Sequence, residues 1–353
     1  MTPLPRFGRA VGVISAAALL ASACGGPAES TEEPITITLL THDSFDVTAS
    51  VLRAFEGEHG VRVRVLPVGD AGQLVNRAIL SSGNPEGDVL FGIDNNLLAA
   101  ALERDVFVPY APPRLAAVED AYELDPEHRV TPVDHGEVCV NYDRSAFTAT
   151  PPPATLADLA DPAYRDQLVV ENPATSTPGL AFLFATVAAF GDPGWESYWR
   201  RLRENGVLVV DGWESAYFGE FSGAGGGEGT RPLVVSYATS PVAEVVFAEE
   251  PLEEAPTGVL EASCFRQVEF AGILRGTEHE TQAQALVDFL LSREFQEDVP
   301  LRMFVYPVVN DAELPRVFTE NAVVPQAPLE LSAEAVARGR EAWVERWTDI
   351  VLR

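Results

Sequence analysis

The stretch Asp211-Gly-Trp-Glu-Ser-Ala-Tyr217 carries residue types suited to gripping a small molecule. It follows an apolar run, residues 207–210, that reads as a buried strand. Trp213 therefore falls just past a strand end, where the binding residues of open α/β sheets gather. Trp213 and Tyr217 stand four apart, so their rings share a face if the segment turns helical. Two rings beside a carboxylate, with no base nearby, suit a flat cation, because the face of an aromatic ring attracts positive charge. A core aromatic capping the sheet is the competing reading of Trp213, and spacing alone leaves the two open.

Four further strand ends carry polar groups: His42-Asp43-Ser44, Asp94-Asn95-Asn96, Thr175-Ser176-Thr177 and Tyr237-Ala238-Thr239-Ser240. The last two precede helices, whose free N–H groups and hydroxyls converge on an oxygen or phosphate. Each stretch alone reads as a helix cap. Their recurrence in the first part and the middle of the chain points to a ligand held between two lobes. Metal chemistry finds no support: His42, His59, His128, His135 and His279 form no helix-face pair with a carboxylate, and no calcium-loop spacing occurs. Ser44, Ser176, Ser215 and Ser240 are candidate nucleophiles, but no Gly-x-Ser-x-Gly elbow or partnered histidine accompanies them. All 24 basic residues are arginine. Without lysine there is no phosphate-loop lysine, Schiff base or lysine base, and the glycine-rich stretch 219–230 reads as a surface excursion.

These residues need a frame. Strands are expected at 35–40, 61–66 and 89–93, with helices between them. Asp43 or Ser44 can cap the first helix, whose apolar residues are Val47, Val51, Leu52 and Phe55, and Gly60 stops it. The second helix spans 70–80, and residues 94–96 open a third. This β-α-β-α-β-α order implies a mostly parallel sheet with helices on its faces. Residues 108–132 are proline-rich and irregular. Further strands are expected at 138–142, 167–171, 233–241 and 265–274, and helices at 180–190, 195–203, 280–291 and 332–353. Trp343 and Trp347 are read as packing.

The 353 residues suffice for two domains. The net charge of -29, from 24 basic and 53 acidic residues, disfavours nucleic acid and anionic membranes as partners. At the N-terminus, Arg6 and Arg9 precede an alanine-rich apolar run, residues 10–23, too short to span a membrane comfortably. It ends Ala21-Ser-Ala-Cys24 and resembles a lipoprotein signal with Cys24 acylated. Ala21 stands where leucine is usual, and simple secretory cleavage is the alternative. Residues 24–34 then form a tether. The remaining Cys139 and Cys264 in an exported chain are a disulfide candidate, with two buried free thiols as the alternative.

The chain resembles the periplasmic thiamine-binding proteins of bacterial ABC importers. The stretches that carry the resemblance are Thr41-His-Asp-Ser-Phe45, Asp94-Asn-Asn96, Thr175-Ser-Thr-Pro-Gly-Leu180, Gly212-Trp-Glu-Ser-Ala-Tyr217, Ser236-Tyr-Ala-Thr-Ser-Pro241 and Tyr306-Pro-Val308. The resemblance implies a two-lobed α/β fold of the type II periplasmic-binding-protein class, each lobe a mostly parallel sheet flanked by helices, joined by a two-strand hinge. The first lobe would span 35–137 and 265–353, and the second 138–264. It implies a monomer that binds thiamine, thiamine monophosphate or thiamine diphosphate as ligand, without cofactor or catalysis, and docks on a membrane permease. Carried over as binding residues are Asp70, Ala71, Ser176, Thr177, Trp213, Tyr237, Ala238, Thr239 and Ser240. To these the strand-end reading adds His42, Asp43, Ser44, Asp94, Asn95 and Tyr217. A cationic thiazolium suits Trp213, Tyr237 and nearby carboxylates, and its hydroxyl or phosphate tail suits the helix start at Ser176-Thr177. Family members often carry Tyr at His42, and a family Tyr falls at Ala243, so the stacking walls differ here. The resemblance also implies a Cys139–Cys264 disulfide, because the chain crosses between lobes on neighbouring strands that start near these residues. A polyamine or ferric ion on the same fold, or an exported serine hydrolase using Ser176 or Ser240, are the rival functions.

Overall fold

A computed structural model describes residues 34–353 apart from 226, 227 and 253. The signal-like segment, Cys24 and the tether up to residue 33 lie outside the described residues. The first β-branched run becomes β1 (Ile35–Thr41), followed by α1 (Ala49–His59), β2 (Val61–Pro67), α2 (Ala71–Leu80), β3 (Val89–Asp94), α3 (Leu98–Glu103) and β4 (Phe107–Val108). After an irregular stretch come β5 (Thr131–Asp143), β6 (Leu168–Glu171), α4 (Thr177–Phe190), α5 (Gly194–Glu204), β7 (Leu208–Val210), β8 (Leu233–Tyr237) and α6 (Ser240–Val246). The chain returns through β9 (Thr257–Leu274), α7 (Glu280–Leu290), α8 (Arg293–Arg302), β10 (Tyr306–Pro307), α9 (Arg316–Asn321) and α10 (Ala333–Val351).

All strands join one sheet in the order β2-β1-β3-β9-β5-β8-β6-β7, with β4 on β9 and β10 on β5. The triplets β2-β1-β3 and β8-β6-β7 are internally parallel, as crossover helices require. Between them β9 and β5 run antiparallel to each other and to their outer neighbours. The expected parallel strands are thus present, but as two flanks of a continuous mixed sheet. Residues 35–353 form one compact unit, and the expected lobe boundaries at 138 and 264 fall inside the two long central strands.

These strands run well past their expected ends. Thr131 pairs with Ala271 and Asp143 with Thr257, so β5 and β9 embrace over almost their whole lengths. Their pairing shifts between Val138 and Val140, and Ser263 bulges there to accept the Val140 N–H at 2.7 Å. Cys139 and Cys264 sit at this shift, bonded as a disulfide with Cα atoms 4.1 Å apart. Both are fully buried. The bond therefore lies on the seam between the two flanks.

Helices cover both faces. In α4 every residue from Thr177 to Val187 is buried, which explains its uninterrupted apolar character. Trp195, Tyr198, Trp199 and Leu202 turn the buried side of α5 toward it. Trp347 of α10 meets Trp199 edge-on at 5.4 Å and is fully buried, so the C-terminal tryptophans do pack. The expected cap of α1 differs. Asp43 instead accepts the Gly69 N–H at 2.9 Å. The helix starts later, at Ala49, after Thr48, whose N–H and hydroxyl both donate to Asp298 at 2.7 and 2.6 Å.

Candidate functional site

The C-terminal ends of β1, β7 and β8 point toward one another across the sheet. A cavity of about 580 Å³ opens there. One side is built by the turn after β1 and the start of α2. Gly69 and Asp43 hydrogen-bond through backbone and carboxylate, which ties the two loops together. Asp70 then precedes α2 in extended conformation and aims its carboxylate across the cavity. Its Oδ1 accepts the Thr177 N–H at 3.3 Å and its Oδ2 the Trp213 N–H at 3.1 Å. This carboxylate thus links the start of α2 to the start of α4 and to the loop after β7. Burial pushes the Asp70 carboxyl up, and the two N–H bonds oppose that shift without cancelling it.

His42 packs on Phe91 at 5.6 Å, and Gly92 of β3 makes this possible. A Cβ at Gly92, which has φ +102°, would come within 2.3 Å of the imidazole. The His42 Nε2 lies 3.6 Å from Glu269 of β9. Burial works against the imidazolium, but Glu269, Asp70 and Asp43 outweigh it and hold His42 above its ordinary value. Burial alone would raise Glu269, yet the charge on His42, with Asp134 and Gln267 alongside, holds it low. Asp134 beneath it is fully buried, and burial together with the Glu269 charge pushes its carboxyl well above the usual range. The two carboxyls of this pair are thus pushed in opposite directions, Asp134 up and Glu269 down.

The opposite side is aromatic. Trp213 Nε1 donates to Ser236 Oγ at 2.8 Å, and Ser236 and Ser240 hydroxyls lie 2.8 Å apart. Ser240 Oγ accepts the Tyr237 N–H at 3.1 Å. This chain of hydroxyls fixes the indole plane. Tyr217 stacks on Trp213 with centroids 5.1 Å apart and planes 19° from parallel. Nothing fits between rings that close, so the two are not opposing jaws. Tyr217 is 2% exposed, anchored by its hydroxyl to Glu244 at 2.8 Å, and backs Trp213. Phe218 meets Trp213 edge-on at 5.5 Å, and Tyr237 lies 6.3 Å away at 64°. A carboxylate side and an aromatic side facing one cavity suit a flat cationic ligand.

The family described as bacterial extracellular solute-binding protein matches residues 84–325. The chain belongs to that family. It is accordingly a solute-binding protein rather than an enzyme, and its work lies outside the cytoplasm. The chain is 30% identical over 335 residues to a thiamine-binding periplasmic protein of Salmonella typhimurium, covering 94% of this chain and 97% of that one. It is also 30% identical to the thiamine-binding periplasmic protein of Escherichia coli, covering 90% and 94% of the two chains. Among solved structures, a periplasmic thiamin binding protein superposes with a TM-score of 0.79 at 28% identity, covering 91% of this chain and 97% of that one. The fold is that of type II periplasmic binding proteins. Among the described residues, no helix is long and apolar enough to cross a membrane, and no cluster of three His, Cys, Asp or Glu could hold a metal ion.

The cavity of this family member brings together most of the residues that the sequence singles out: His42, Asp43, Ser44, Asp70, Ala71, Thr177, Trp213, Tyr217, Tyr237 and Ser240. Five others lie off its lining. Asp94 accepts the N–H groups of Asn96 and Leu97 and the Asn96 amide, so it caps a turn; burial and Glu269 push its carboxyl up to about 7. Asn95 accepts the Val268 N–H at 2.8 Å and ties β3 to β9. Ala238 packs on the disulfide. The Thr239 hydroxyl donates to the Phe304 carbonyl. Ser176 is buried and lines a smaller, separate cavity. Missed by the sequence reading were Glu269, Glu244, Phe218, Phe247, Arg302 and Phe304, all of which line the main cavity. Glu269 had a signal: it is an acidic residue between Val268 and Phe270 in a strand that is apolar from there to Leu274. Phe247 lies one helical turn beyond Ala243, and both reach the cavity.

Proposed function

We propose that this chain captures thiamine outside the cytoplasm and hands it to the permease of an ABC importer. The observation that carries this reading is the open face of Trp213, backed by Tyr217 and set opposite Asp70 and Glu269, in a chain whose relatives are named for thiamine binding. A thiazolium ring keeps its charge at every pH, so it gains from the indole face and from the carboxylates together. The ligand-binding set is His42, Asp43, Ser44, Asp70, Ala71, Thr177, Trp213, Tyr237 and Ser240, with Tyr217 as backing. The mechanism in this reading is closure: the flanks of the sheet act as two lobes, with boundaries near residues 138 and 264, and close on the ligand about β5 and β9. The protein acts as a monomer and is held at the membrane through acylated Cys24.

The test is a titration of purified protein with thiamine, followed by tryptophan fluorescence, in parallel with an ester-turnover assay. Saturable fluorescence change without turnover supports the reading. Turnover without a thiamine response would return the serine hydrolase rival.

A further inference from the structure

The glycine-rich stretch 219–230 reads from sequence as a surface excursion, but its first part is held against the aromatic side of the cavity. Phe221 is fully buried and packs on Tyr217 with ring centroids 5.5 Å apart. The Ser222 hydroxyl donates to Asp143 at 2.7 Å. The Gly225 N–H donates to Glu244 Oε2 at 2.7 Å, and Gly225 lines the cavity. A Cβ on Gly225 would crowd the same oxygen at 3.2 Å. Glu244 Oε1 accepts the Tyr217 hydroxyl at 2.8 Å. One buried carboxylate thus grips two separate segments, one with each oxygen. Glu244 follows Ser240 by four residues, so both lie on one face of α6. From that face Ser240 meets Ser236, which accepts the indole N–H of Trp213. Glu244 meets Tyr217, which backs the indole. The edge and the back of Trp213 are therefore both fixed from one turn of a short helix. Burial and the Glu244 charge push the Tyr217 phenol well above its ordinary value, so it stays a donor.

We propose that Glu244 is a positioning residue for ligand capture: it clasps the glycine-rich segment to Tyr217, and through Tyr217 it holds the face of Trp213 in place. The proposal rests on the reading of the cavity as a thiamine site. It assigns the Glu244 carboxylate to the indole rather than to the charge of the ligand, because both oxygens already accept hydrogen bonds from the protein. It also gives the glycine-rich segment a task, since Gly225 is the point at which that segment reaches the cavity.

The experiment is a double-mutant cycle, read by calorimetric titration with thiamine, on the native chain, Glu244→Gln, Tyr217→Phe and the two together. Each single variant should weaken binding about three- to tenfold, the scale of one net hydrogen bond. The pair should bind no more than about twofold more weakly than the weaker single variant, because both changes open the same clasp. Losses that multiply would mean that Glu244 meets the ligand independently of Tyr217, and would overturn the proposal. Native affinity in Glu244→Gln would overturn it too. A second readout needs no ligand: acrylamide quenching of Trp213, taken as the difference between each chain and its Trp213→Phe counterpart. Opening the clasp should raise that quenching in Glu244→Gln and in Tyr217→Phe, and unchanged quenching would count against the clasp in the same way. If Glu244→Gln does not fold, Tyr217→Phe decides alone, and a native value for either its affinity or its quenching would overturn the proposal. A native chain that binds no thiamine would instead refute the proposed function, while the quenching would still test the clasp.

Discussion

The two sides of the cavity are built on different principles. The side fed by β1, α2 and β9 is made of charge: His42, Asp43, Asp70 and Glu269 are linked by ion pairs and by hydrogen bonds to backbone N–H groups. The side fed by the loop after β7, by β8 and by α6 is made of rings: Trp213, Tyr217, Phe218, Tyr237 and Phe247, with hydroxyls that fix the indole. Charge is costly to bury unless each group has a partner, so the first side needs a network spread over three elements. Rings need only backing and one hydrogen bond, so the second side centres on Trp213, Tyr217 and Phe218 within one short stretch, with Tyr237 and Phe247 added from β8 and the end of α6. The lesson is that the aromatic side can be read from a short stretch of sequence while the charged side cannot. The disulfide on the β5–β9 seam belongs to neither side.

That division can be broken first at the seam. Removing the bond with Cys139→Ser and Cys264→Ser should give the largest effect on stability and the smallest on binding. The sequence separation of 125 residues corresponds, by chain-entropy reasoning, to at most about 5 kcal/mol. Denaturant unfolding should show the loss, while thiamine affinity below the transition stays within about twofold. A large loss of affinity with little loss of stability would mean that the seam is part of the site. The aromatic side comes next. Trp213→Ala removes the stacking face and should weaken thiamine binding about tenfold or more, from roughly 1–2 kcal/mol of ring contact. Calorimetry on a variant of unchanged circular dichroism is the check, and unchanged affinity would remove Trp213 from the site.

The same division explains what the sequence disclosed. The β1, β2 and β3 runs were legible because β-branched residues cluster between clear helix signals, and their parallel pairing followed from β-α-β alternation. The stretch around Trp213 was legible because its chemistry is local. Long-range partners were not. Asp134, Glu137, Gln267 and Glu269 interrupt β5 and β9, which hid how far these strands extend; Glu137 meets Arg266 and Glu269 meets His42, each far away in the chain. Asp94 and Asn95 looked like ligand groups because a capping carboxylate and a binding carboxylate have the same sequence signature. Tyr217 reads as a second ligand-facing ring because helical spacing gives the shared face but not which side of the partner ring it covers.

Two smaller effects sharpen the comparison. Phe247 is 72% exposed at the cavity mouth and meets Phe304 edge-on at 5.4 Å. Phe247→Ala should cost about 0.5–1 kcal/mol of thiamine affinity, read mainly as faster dissociation in stopped-flow fluorescence. No change would confine the aromatic side to Trp213, Tyr217 and Tyr237. The charged side should respond to pH. His42 is held above its ordinary 6.5, because burial, which lowers it, is outweighed by Glu269, Asp70 and Asp43. The stability of its ion pair is therefore full below 6.5 and is lost as pH rises through the folded value. Thiamine affinity should run the other way over the same window, since deprotonation removes a competing cation and frees Glu269. Burial also raises Asp70 and Glu244, against their hydrogen bonds, so acidification weakens cation binding through them as well. Titrations across neutral pH, in buffers of different ionisation enthalpy, should show modest tightening toward alkaline pH with proton release on binding, and His42→Gln should flatten the rise.

The most direct measurement is a crystal structure of the protein with thiamine. The account predicts one thiamine in the cavity of about 580 Å³, a ring lying against the open face of Trp213, and Asp70 and Glu269 on the far side of the ligand. Thiamine bound elsewhere, or held in the cavity with Trp213 turned away and no carboxylate near it, would contradict the division of the site into a charged and an aromatic side.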